Sequence, residues 1–254
     1  MMKVLFVGDI YGQKGLDTLK YFLPQIKEEY KPNIIIVNGE NVTHGRGINK
    51  RDYKQLMNMG IHMVTMGNWV WGNRELYEFI DDANIVRPLN FYQAPGQGYK
   101  IISYNQEKIL VINALGRTFM NGNIENPFIE VKKVLEEVEC DYSIVDFHAE
   151  ATSEKVALGF YLDGLASAVV GTHTHVPTAD SRTLPKGTLY ITDVGLTGPL
   201  DGIIGVDREI VINRFLNGHS VPNVVAEGAA QFNGVLLDFD IKKIKHIHLE
   251  SETV

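Results

Sequence analysis

The chain alternates short apolar runs with longer amphipathic stretches, and this alternation narrows the folds that it can adopt. The apolar runs are VLFVGD, NIIIVNGEN, HMVTMGN, KILVINALG, YSIVDFHAE, ASAVVGTHTH and TLYITDVG. Runs of this length that are rich in Val and Ile are typical of strands buried on both faces. The amphipathic stretches between them predict helices that pack on the resulting sheet. The pattern therefore predicts an α/β protein.

The helices are predicted from apolar residues that recur at helical spacing. They cover residues 16–30, 50–58, 74–81, 127–137 and 153–162. Two further strands, around 234–240 and 245–250, alternate apolar and polar residues more openly, so we expect them in an outer part of a sheet. No segment has the composition of a linker or a repeat, so we expect one domain spanning residues 1–254.

Composition and charge limit the partners and the location. The formal net charge of −7 argues against a partner such as duplex nucleic acid, which usually requires a basic patch. The single cysteine, Cys140, cannot form an intramolecular disulfide, which favours a reducing compartment. The start, MMKVLFVGD, resembles a strand rather than a signal peptide, and no apolar run has membrane-spanning length. We expect a cytoplasmic protein that does not bind membranes, and a homo-oligomer is left open.

Polar side chains recur where the apolar runs end. The carboxyl ends of strands in an open α/β sheet gather along one edge, where ligands bind. Turn preferences alone would supply Ser and Pro there as readily as His and Glu. We therefore expect one site that draws on Asp9, Asn38, Glu40, Asn41, Asn68, His148, His173, His175 and Asp193.

The motif GTHTHV places His173 and His175 two positions apart directly after an apolar run. In an extended chain both imidazoles would point to the same side, which suits metal ligands but also two ordinary polar side chains. The other strand ends favour the metal, because three imidazoles, two carboxylates and an amide oxygen exceed what one catalytic zinc takes. Such a set suits two ions that polarise a phosphoryl oxygen and activate water. Nitrogen and oxygen donors without thiolate favour iron or manganese as the cofactor, with zinc possible.

Six motifs, in this order along nearly the whole chain, carry a resemblance to a known family. They are GDIYG, NGENVTHGRG, TMGN, DFHAEATSEK, GTHTHV and YITDVGLTGPLDGIIG. The chain resembles the YmdB-like bacterial metallophosphoesterases, a branch of the calcineurin-type two-metal superfamily. The resemblance implies a four-layer α/β/β/α sandwich and hydrolysis of small phosphodiesters such as 2′,3′-cyclic nucleotides.

The resemblance also implies a role for individual residues. The ligands that it implies for a first ion are Asp9, Glu40 and His175. Those that it implies for a second ion, with Glu40 as a shared bridge, are Glu40, Asn68, His148 and His173. Asn41 would lie against the bridging solvent or a phosphate oxygen.

The sequence departs from the family pattern at GNWVWGN. The family motif is Gly-Asn-His followed by any residue, Trp and Asp. Trp69 stands where the family has the histidine that contacts the phosphate and helps the leaving oxygen, and Gly72 stands where it has the supporting Asp. An indole N–H donates a hydrogen bond but transfers no proton at neutral pH. We therefore expect weakened or redirected chemistry.

Several residues near the expected site keep two interpretations. His44, on a loop after Glu40, either faces the phosphate or caps the loop. Trp69 either packs in the interior or stacks a nucleobase. Asp146, Glu150 and Asp193 either orient ligand imidazoles or cap local turns. Basic loop residues could contact phosphate or be merely solvated: Arg46, Arg117, Arg182 and Lys186.

A second histidine pair, His246 and His248 in KHIHLE, has the same spacing as the first. These residues alternate with Ile247 and Leu249, so we interpret them as the solvent-facing side of an edge strand.

The function that we predict is a dinuclear metal-dependent phosphodiesterase with catalytic candidates Asn41, His44 and Trp69. Loss of the usual histidine also permits a catalytically weak, metal- and nucleotide-binding regulatory protein that acts through a partner. A plain phosphomonoesterase would require cationic groups for a dianionic substrate, which the sequence does not identify.

Overall fold

Two sheets pack face to face with helices on both outer sides in the computed structural model, which describes residues 2–120, 122, 124–218 and 221–254. The strands in chain order are Lys3–Val7 (β1), Asp9–Ile10 (β2), Ile34–Asn38 (β3), Met63–Thr65 (β4), Ile85–Val86 (β5), Tyr99–Tyr104 (β6), Glu107–Leu115 (β7), Tyr142–His148 (β8), Ala168–Thr172 (β9), Arg182–Thr183 (β10), Leu189–Ile191 (β11), Leu196–Pro199 (β12), Ala230–Asp238 (β13) and Lys243–Ser251 (β14).

The helices in chain order are Gly12–Tyr30 (α1), Lys50–Asn58 (α2), Pro127–Glu137 (α3), Thr152–Tyr161 (α4) and Arg208–Asn217 (α5). Local chemistry explains where some of them begin. The side chain of Asn49 accepts a hydrogen bond from the Asp52 N–H at the start of α2, and Asn126 caps α3 just before Pro127. In the described residues, no helix is long and apolar enough to cross a membrane.

The first sheet has eight strands, in the order β2-β12-β13-β1-β3-β4-β5, with β14 paired to β13. The second has six, in the order β10-β11-β9-β8-β7-β6. β1 and β3 run parallel in the first sheet, as do β7, β8 and β9 in the second. The carboxyl ends of these parallel strands therefore meet along one edge of the molecule.

Strand β1 shows how the layers arise. Its side chains alternate between faces, so that Val4 and Phe6 pack against the second sheet while Leu5 and Val7 pack beneath α1. A third apolar cluster lies between the outer face of the second sheet and helices α3 and α4. The three clusters separate four layers, and the predicted α/β/β/α sandwich is confirmed.

The helices predicted at 50–58 and 127–137 have the predicted bounds. The segment predicted as a helix at 74–81 instead forms a short 3-10 turn at Arg74–Glu78, in which only Leu76 is buried, so this turn has no continuous apolar face to pack as an α-helix. Helix α1 begins at Gly12, before the predicted start, and Gly12 has a φ of 62° that favours glycine. The sequence did not predict β6, β12 or α5.

Candidate metal centre

The polar strand ends converge where the two sheets meet at their carboxyl edge. Asp9 lies in β2 and Glu40 follows β3 in the first sheet, while His148 ends β8 and His173 follows β9 in the second. The side chains of Asp9, Glu40 and His148 are almost fully buried. The expectation that these strand ends form one site agrees with this geometry.

Four nitrogen and oxygen atoms that could bind a metal ion lie close together at the floor of this site. Nε2 of His148 lies 3.0 Å from Oε1 of Glu40, 3.0 Å from Oδ1 of Asn68 and 3.0 Å from Nδ1 of His173. Glu40, His148 and His173 form a cluster whose donor atoms all lie within 4.8 Å of one another. This close set of lone-pair atoms is typical of a metal site.

The partners of His148 fix which of its nitrogens faces the cluster. Nδ1 of His148 lies 2.8 Å from Oγ1 of Thr172, and the Thr172 hydroxyl donates to Asp146 at 2.7 Å. When Asp146 is ionised, the Thr172 proton is directed to it, so Nδ1 must donate and Nε2 presents a lone pair. That lone pair faces the oxygens of Glu40 and Asn68, so three acceptor atoms lie close together with no proton between them. A cation between these acceptors would remove their mutual repulsion.

A second group of atoms that could bind a metal ion lies around His175. Its Nδ1 donates to the carbonyl oxygen of Ile204 at 2.8 Å, which leaves Nε2 as the acceptor. Nε2 lies 3.2 Å from Oδ1 of Asn41 and 3.8 Å from Oδ1 of Asp9. Within the described residues, that Asp9 oxygen is buried and has no hydrogen-bond partner. An unpartnered buried carboxylate oxygen facing an imidazole lone pair also fits a cation.

Hydrogen bonding orients the side chain of Asn41, which lines the cleft above the site. Its Nδ2 donates to the carbonyl oxygen of Gly45 at 3.0 Å, so its Oδ1 points toward His175. The expected place of Asn41 against the bridging solvent or a phosphate oxygen stays a prediction.

The two histidines of GTHTHV reach the site in an unexpected way. β9 ends at Thr172, and His173 and His175 have φ angles of 101° and 66°. The extended chain expected for this pair is therefore wrong, since both residues lie in a loop with left-handed backbone. Such a conformation costs a side-chain-bearing residue roughly 1–2 kcal/mol. Strain of this kind is often retained at functional sites.

Residues behind the donors hold them in place. Asn38 donates to Asp146 at 3.0 Å. It therefore supports the hydrogen-bonded series Asp146–Thr172–His148 and does not face the cluster. Oε2 of Glu150 lies 3.1 Å from Nε2 of His173, an ion-pair distance that agrees with one of the sequence interpretations. In the described residues no hydrogen bond or ion pair joins Asp193 to His175.

The partners of Asp193 are Lys155 and two backbone N–H groups. It pairs with the buried Lys155 at 2.5 Å and accepts from the N–H of Thr174 at 3.1 Å and from that of Gly195 at 2.9 Å. Asp193 thus fixes the loop between the two histidines. Sequence reasoning missed Lys155 and Thr172, although both lie in motifs that it singled out.

Burial controls the protonation of these groups. Desolvation raises the pKa of Asp9 and of Glu40 to about 7. Desolvation also lowers the pKa of His148 and of His173 to about 4. Both imidazoles are therefore neutral at neutral pH, as metal ligands must be, whereas a proton competes with a metal for the carboxylates.

We expect metal binding to strengthen as pH rises through 7. Asp9 and Glu40 hold protons below that pH in the folded, metal-free protein and release them on unfolding, so without metal they lower stability as pH rises from about 4 to about 7. Mn²⁺ would replace those protons, so it should raise the thermal midpoint more at about pH 8 than at about pH 6. Calorimetry with Mn²⁺ and with chelator measures both shifts, and equal shifts would contradict the carboxylate assignment.

A cleft of about 960 Å³ opens above the donors. Trp69 lines it, is 37% exposed, and donates its backbone N–H to Oε2 of Glu40 at 3.0 Å. Trp71 instead stacks on Tyr77 with ring centroids 4.5 Å apart. Trp69 thus forms part of the wall of the cleft, whereas Trp71 packs against Tyr77.

His44 also lines the cleft. Its φ is 53°, and among the described residues its imidazole makes no hydrogen bond that would cap the loop. His44 thus lies on the wall of the cleft, which is the position that the phosphate-side interpretation requires.

The second histidine pair lies on β14, away from this cleft. His248 contacts Oδ1 of Asn233 at 2.8 Å and is exposed, while His246 is half-buried rather than fully solvent-facing. Replacing His246 and His248 together by Gln should therefore leave metal content and activity unchanged. Elemental analysis of the variant checks this, and a loss of bound metal would place the functional edge elsewhere.

The fold and the site together define a class of protein. Two packed sheets between helices, with carboxylate, imidazole and amide donors gathered at the strand ends of both sheets, are typical of the metallophosphoesterase sandwich. The profile of the YmdB-like protein family matches residues 5–251, and the chain belongs to this family.

Relatives with high identity cover nearly the whole chain. A 2′,3′-cyclic-nucleotide 2′-phosphodiesterase of Bacillus subtilis (strain 168) is 48% identical over 98% of this chain and 96% of its own. The crystal structure of a hypothetical protein from Thermus thermophilus has a TM-score of 0.94 at 42% identity, covering 98% of this chain and 100% of that one. That of a novel phosphatase from Mycoplasma pneumoniae has a TM-score of 0.91 at 39% identity, covering 98% and 93%.

Proposed function

We propose that this protein is a dinuclear metal-dependent phosphodiesterase that hydrolyses small phosphodiesters such as 2′,3′-cyclic nucleotides. The observation that carries the proposal is the set of buried lone-pair atoms facing one another at the floor of the cleft. The printed name of the Bacillus subtilis relative supports this substrate class. The cleft is large enough for a small phosphodiester.

The ligands proposed for one ion are Glu40, Asn68, His148 and His173, and those for the other are Asp9, Glu40 and His175. Nitrogen and oxygen donors without thiolate favour iron or manganese over zinc. Bound cations would polarise the phosphoryl group and make water a competent nucleophile at neutral pH. The protein's own part is to hold the donors in place through the Thr172, Glu150 and Ile204 contacts described above.

The residue that protonates the leaving oxygen cannot be Trp69. Trp69 supplies no acid, and the imidazoles of His148, His173 and His175 are assigned to the ions. Of the histidines that line the cleft, His44 is the one that this assignment leaves unused. We assign proton donation to His44, while the backbone N–H of Trp69 orients Glu40 at 3.0 Å.

The direct experiment compares two substrates in protein loaded with Mn²⁺ or Fe²⁺. We expect hydrolysis of bis(p-nitrophenyl) phosphate and of 2′,3′-cyclic nucleotides, and both activities should disappear with chelator. Binding of a nucleotide with no turnover of either ester at full metal occupancy would instead favour the regulatory protein that acts through a partner. The presence of Trp69 is the observation that keeps this second function open.

A further inference from the structure

Arg46 and Trp69 form a stacked pair at the wall of the cleft. The guanidinium carbon of Arg46 lies 3.8 Å from the centroid of the Trp69 ring. Both side chains line the cleft together with Glu40 and His173. A guanidinium over an indole face is held by cation–π attraction, which fixes an otherwise flexible side chain.

Gly72 makes this pair possible. A Cβ atom built on Gly72 would lie 2.5 Å from Cγ of Arg46, so the Arg46 side chain occupies the space that any other residue would fill. Gly72 lies in the 3-10 turn Val70–Gly72, and its φ lies outside the positive region that requires glycine. The glycine is therefore explained by the contact with Arg46 rather than by its own backbone conformation.

The guanidinium of Arg46 is available to an anion. Among the described residues no hydrogen bond or ion pair engages its side chain. Arg214, the other arginine that lines the cleft, donates instead to Oδ1 of Asn223 at 2.5 Å and to the carbonyl oxygen of Val221 at 3.4 Å. Burial raises the pKa of Tyr11, and the charge of Arg46 opposes that rise, so the charge of Arg46 acts on the wall of the cleft.

We propose that Arg46, held on the Trp69 ring in the space left by Gly72, binds the phosphoryl oxygens of the substrate. The inference rests on the proposed function and adds a specificity residue to it. The planar guanidinium matches two phosphate oxygens with parallel hydrogen bonds, and it stays charged at every working pH. Trp69 and Gly72 then act together as positioning residues, so their joint departure from the family motif has a common physical cause.

The test measures phosphate binding separately from turnover. The chain has two tryptophans, so Trp71→Phe leaves Trp69 as the only indole reporter. In this background, loaded with Mn²⁺, the Kd for inorganic phosphate is obtained from the midpoint of a fluorescence titration. Arg46→Ala should raise this Kd by about tenfold or more, as expected for loss of a charge-assisted contact. Arg74→Ala, an exposed arginine outside the cleft lining, is the matched control and should leave it unchanged.

A double-mutant cycle tests the part played by Gly72. Gly72→Ala should raise the phosphate Kd about as much as Arg46→Ala, and the double variant should bind no more weakly than either, because both changes remove the same contact. Arg46→Lys should also bind phosphate weakly, since an ammonium group cannot stack flat on the ring. If Gly72→Ala does not fold, the Lys variant still tests whether the stacked, planar guanidinium is what binds phosphate. Bound Mn²⁺ should match the parent in every folded variant, and the thermal midpoint should match it in the two Arg46 variants.

The outcomes separate this inference from the proposed function. An unchanged phosphate Kd in Arg46→Ala would overturn the inference whatever the activity. If the losses of phosphate affinity in Arg46→Ala and Gly72→Ala add up in the double variant, the role of Gly72 in positioning Arg46 is wrong. A weaker phosphate Kd in Arg46→Ala in a protein that hydrolyses no phosphodiester would support the inference while removing the proposed function.

Discussion

Glu40→Ala is expected to empty both metal positions and to reduce phosphodiester turnover by roughly 10²–10³-fold or more, as when a preorganised charge-stabilising group is removed. Glu40 is the carboxylate proposed for both ions. Its Oε1 lies 3.0 Å from Nε2 of His148, and its Oε2 accepts the backbone N–H of Trp69 at 3.0 Å. Elemental analysis of the purified variant gives the metal content directly.

Two further variants make the result specific. His148→Ala should lose mainly one ion, because its Nε2 faces only the Glu40, Asn68 and His173 group. Glu136→Ala removes an exposed glutamate that pairs with Lys132, and it should change nothing. Equal and partial metal loss in Glu40→Ala and His148→Ala would show that Glu40 is not shared.

Loss of the His44 imidazole should slow esters with poor leaving groups far more than esters with good ones. Trp69 cannot donate a proton, and His44 is the imidazole of the cleft that the proposed ions do not use. General acid assistance is worth about 10²–10⁴-fold, so His44→Ala should lose about that much activity on a 2′,3′-cyclic nucleotide. Release of p-nitrophenolate, which leaves well without a proton, should change little.

Steady-state rates on both substrates provide the measurement. The double variant of His246 and His248 is the matched imidazole control, since it removes two histidines on β14 that do not line the cleft. Equal losses on both substrates in His44→Ala would show that His44 binds the phosphate instead of donating the proton. No loss on either substrate would leave His44 without a role in the reaction.

The location of the site was predictable because it follows from topology. Parallel strands end at one edge of a sheet, which brings Glu40 to the edge of the first sheet and His148 to the edge of the second, and the packing of the two sheets then brings these edges together. The prediction of α/β/β/α layers came from the resemblance, and the alternation of the β1 side chains between the two faces of the first sheet explains them. The single domain spanning residues 1–254 stays a prediction.

The orientation of the donors could not be predicted from local sequence. The ring of His175 is fixed by the carbonyl oxygen of Ile204, 29 positions along the chain, and the left-handed φ of His173 has no local signature. One interpretation of the sequence pairs Asp193 with His175, but in the structure Asp193 pairs with Lys155. Such pairings depend on which distant loops meet, and no periodicity encodes them.

The departure at position 69 shows the same limit. The resemblance implies that Trp69 and Gly72 stand where the family has a catalytic His and its supporting Asp, but it does not explain why the two changes occur together. The contact between Gly72 and Arg46 joins residues from two separate loops, and only the folded chain brings them together. Helix α5 was missed for a simpler reason, since Val211 alone among its described residues is buried and its apolar pattern is weak.

We propose that the clustered ligand atoms hold two ions and that these ions drive phosphodiester hydrolysis. Metal-free protein can be titrated with Mn²⁺ while 2′,3′-cyclic-nucleotide hydrolysis and bound metal are measured in the same samples. We expect the rate to rise beyond one bound equivalent and to stop rising when both positions are filled. A rate that is complete at a single equivalent, or no hydrolysis at full occupancy, would show that the two-ion assignment is wrong.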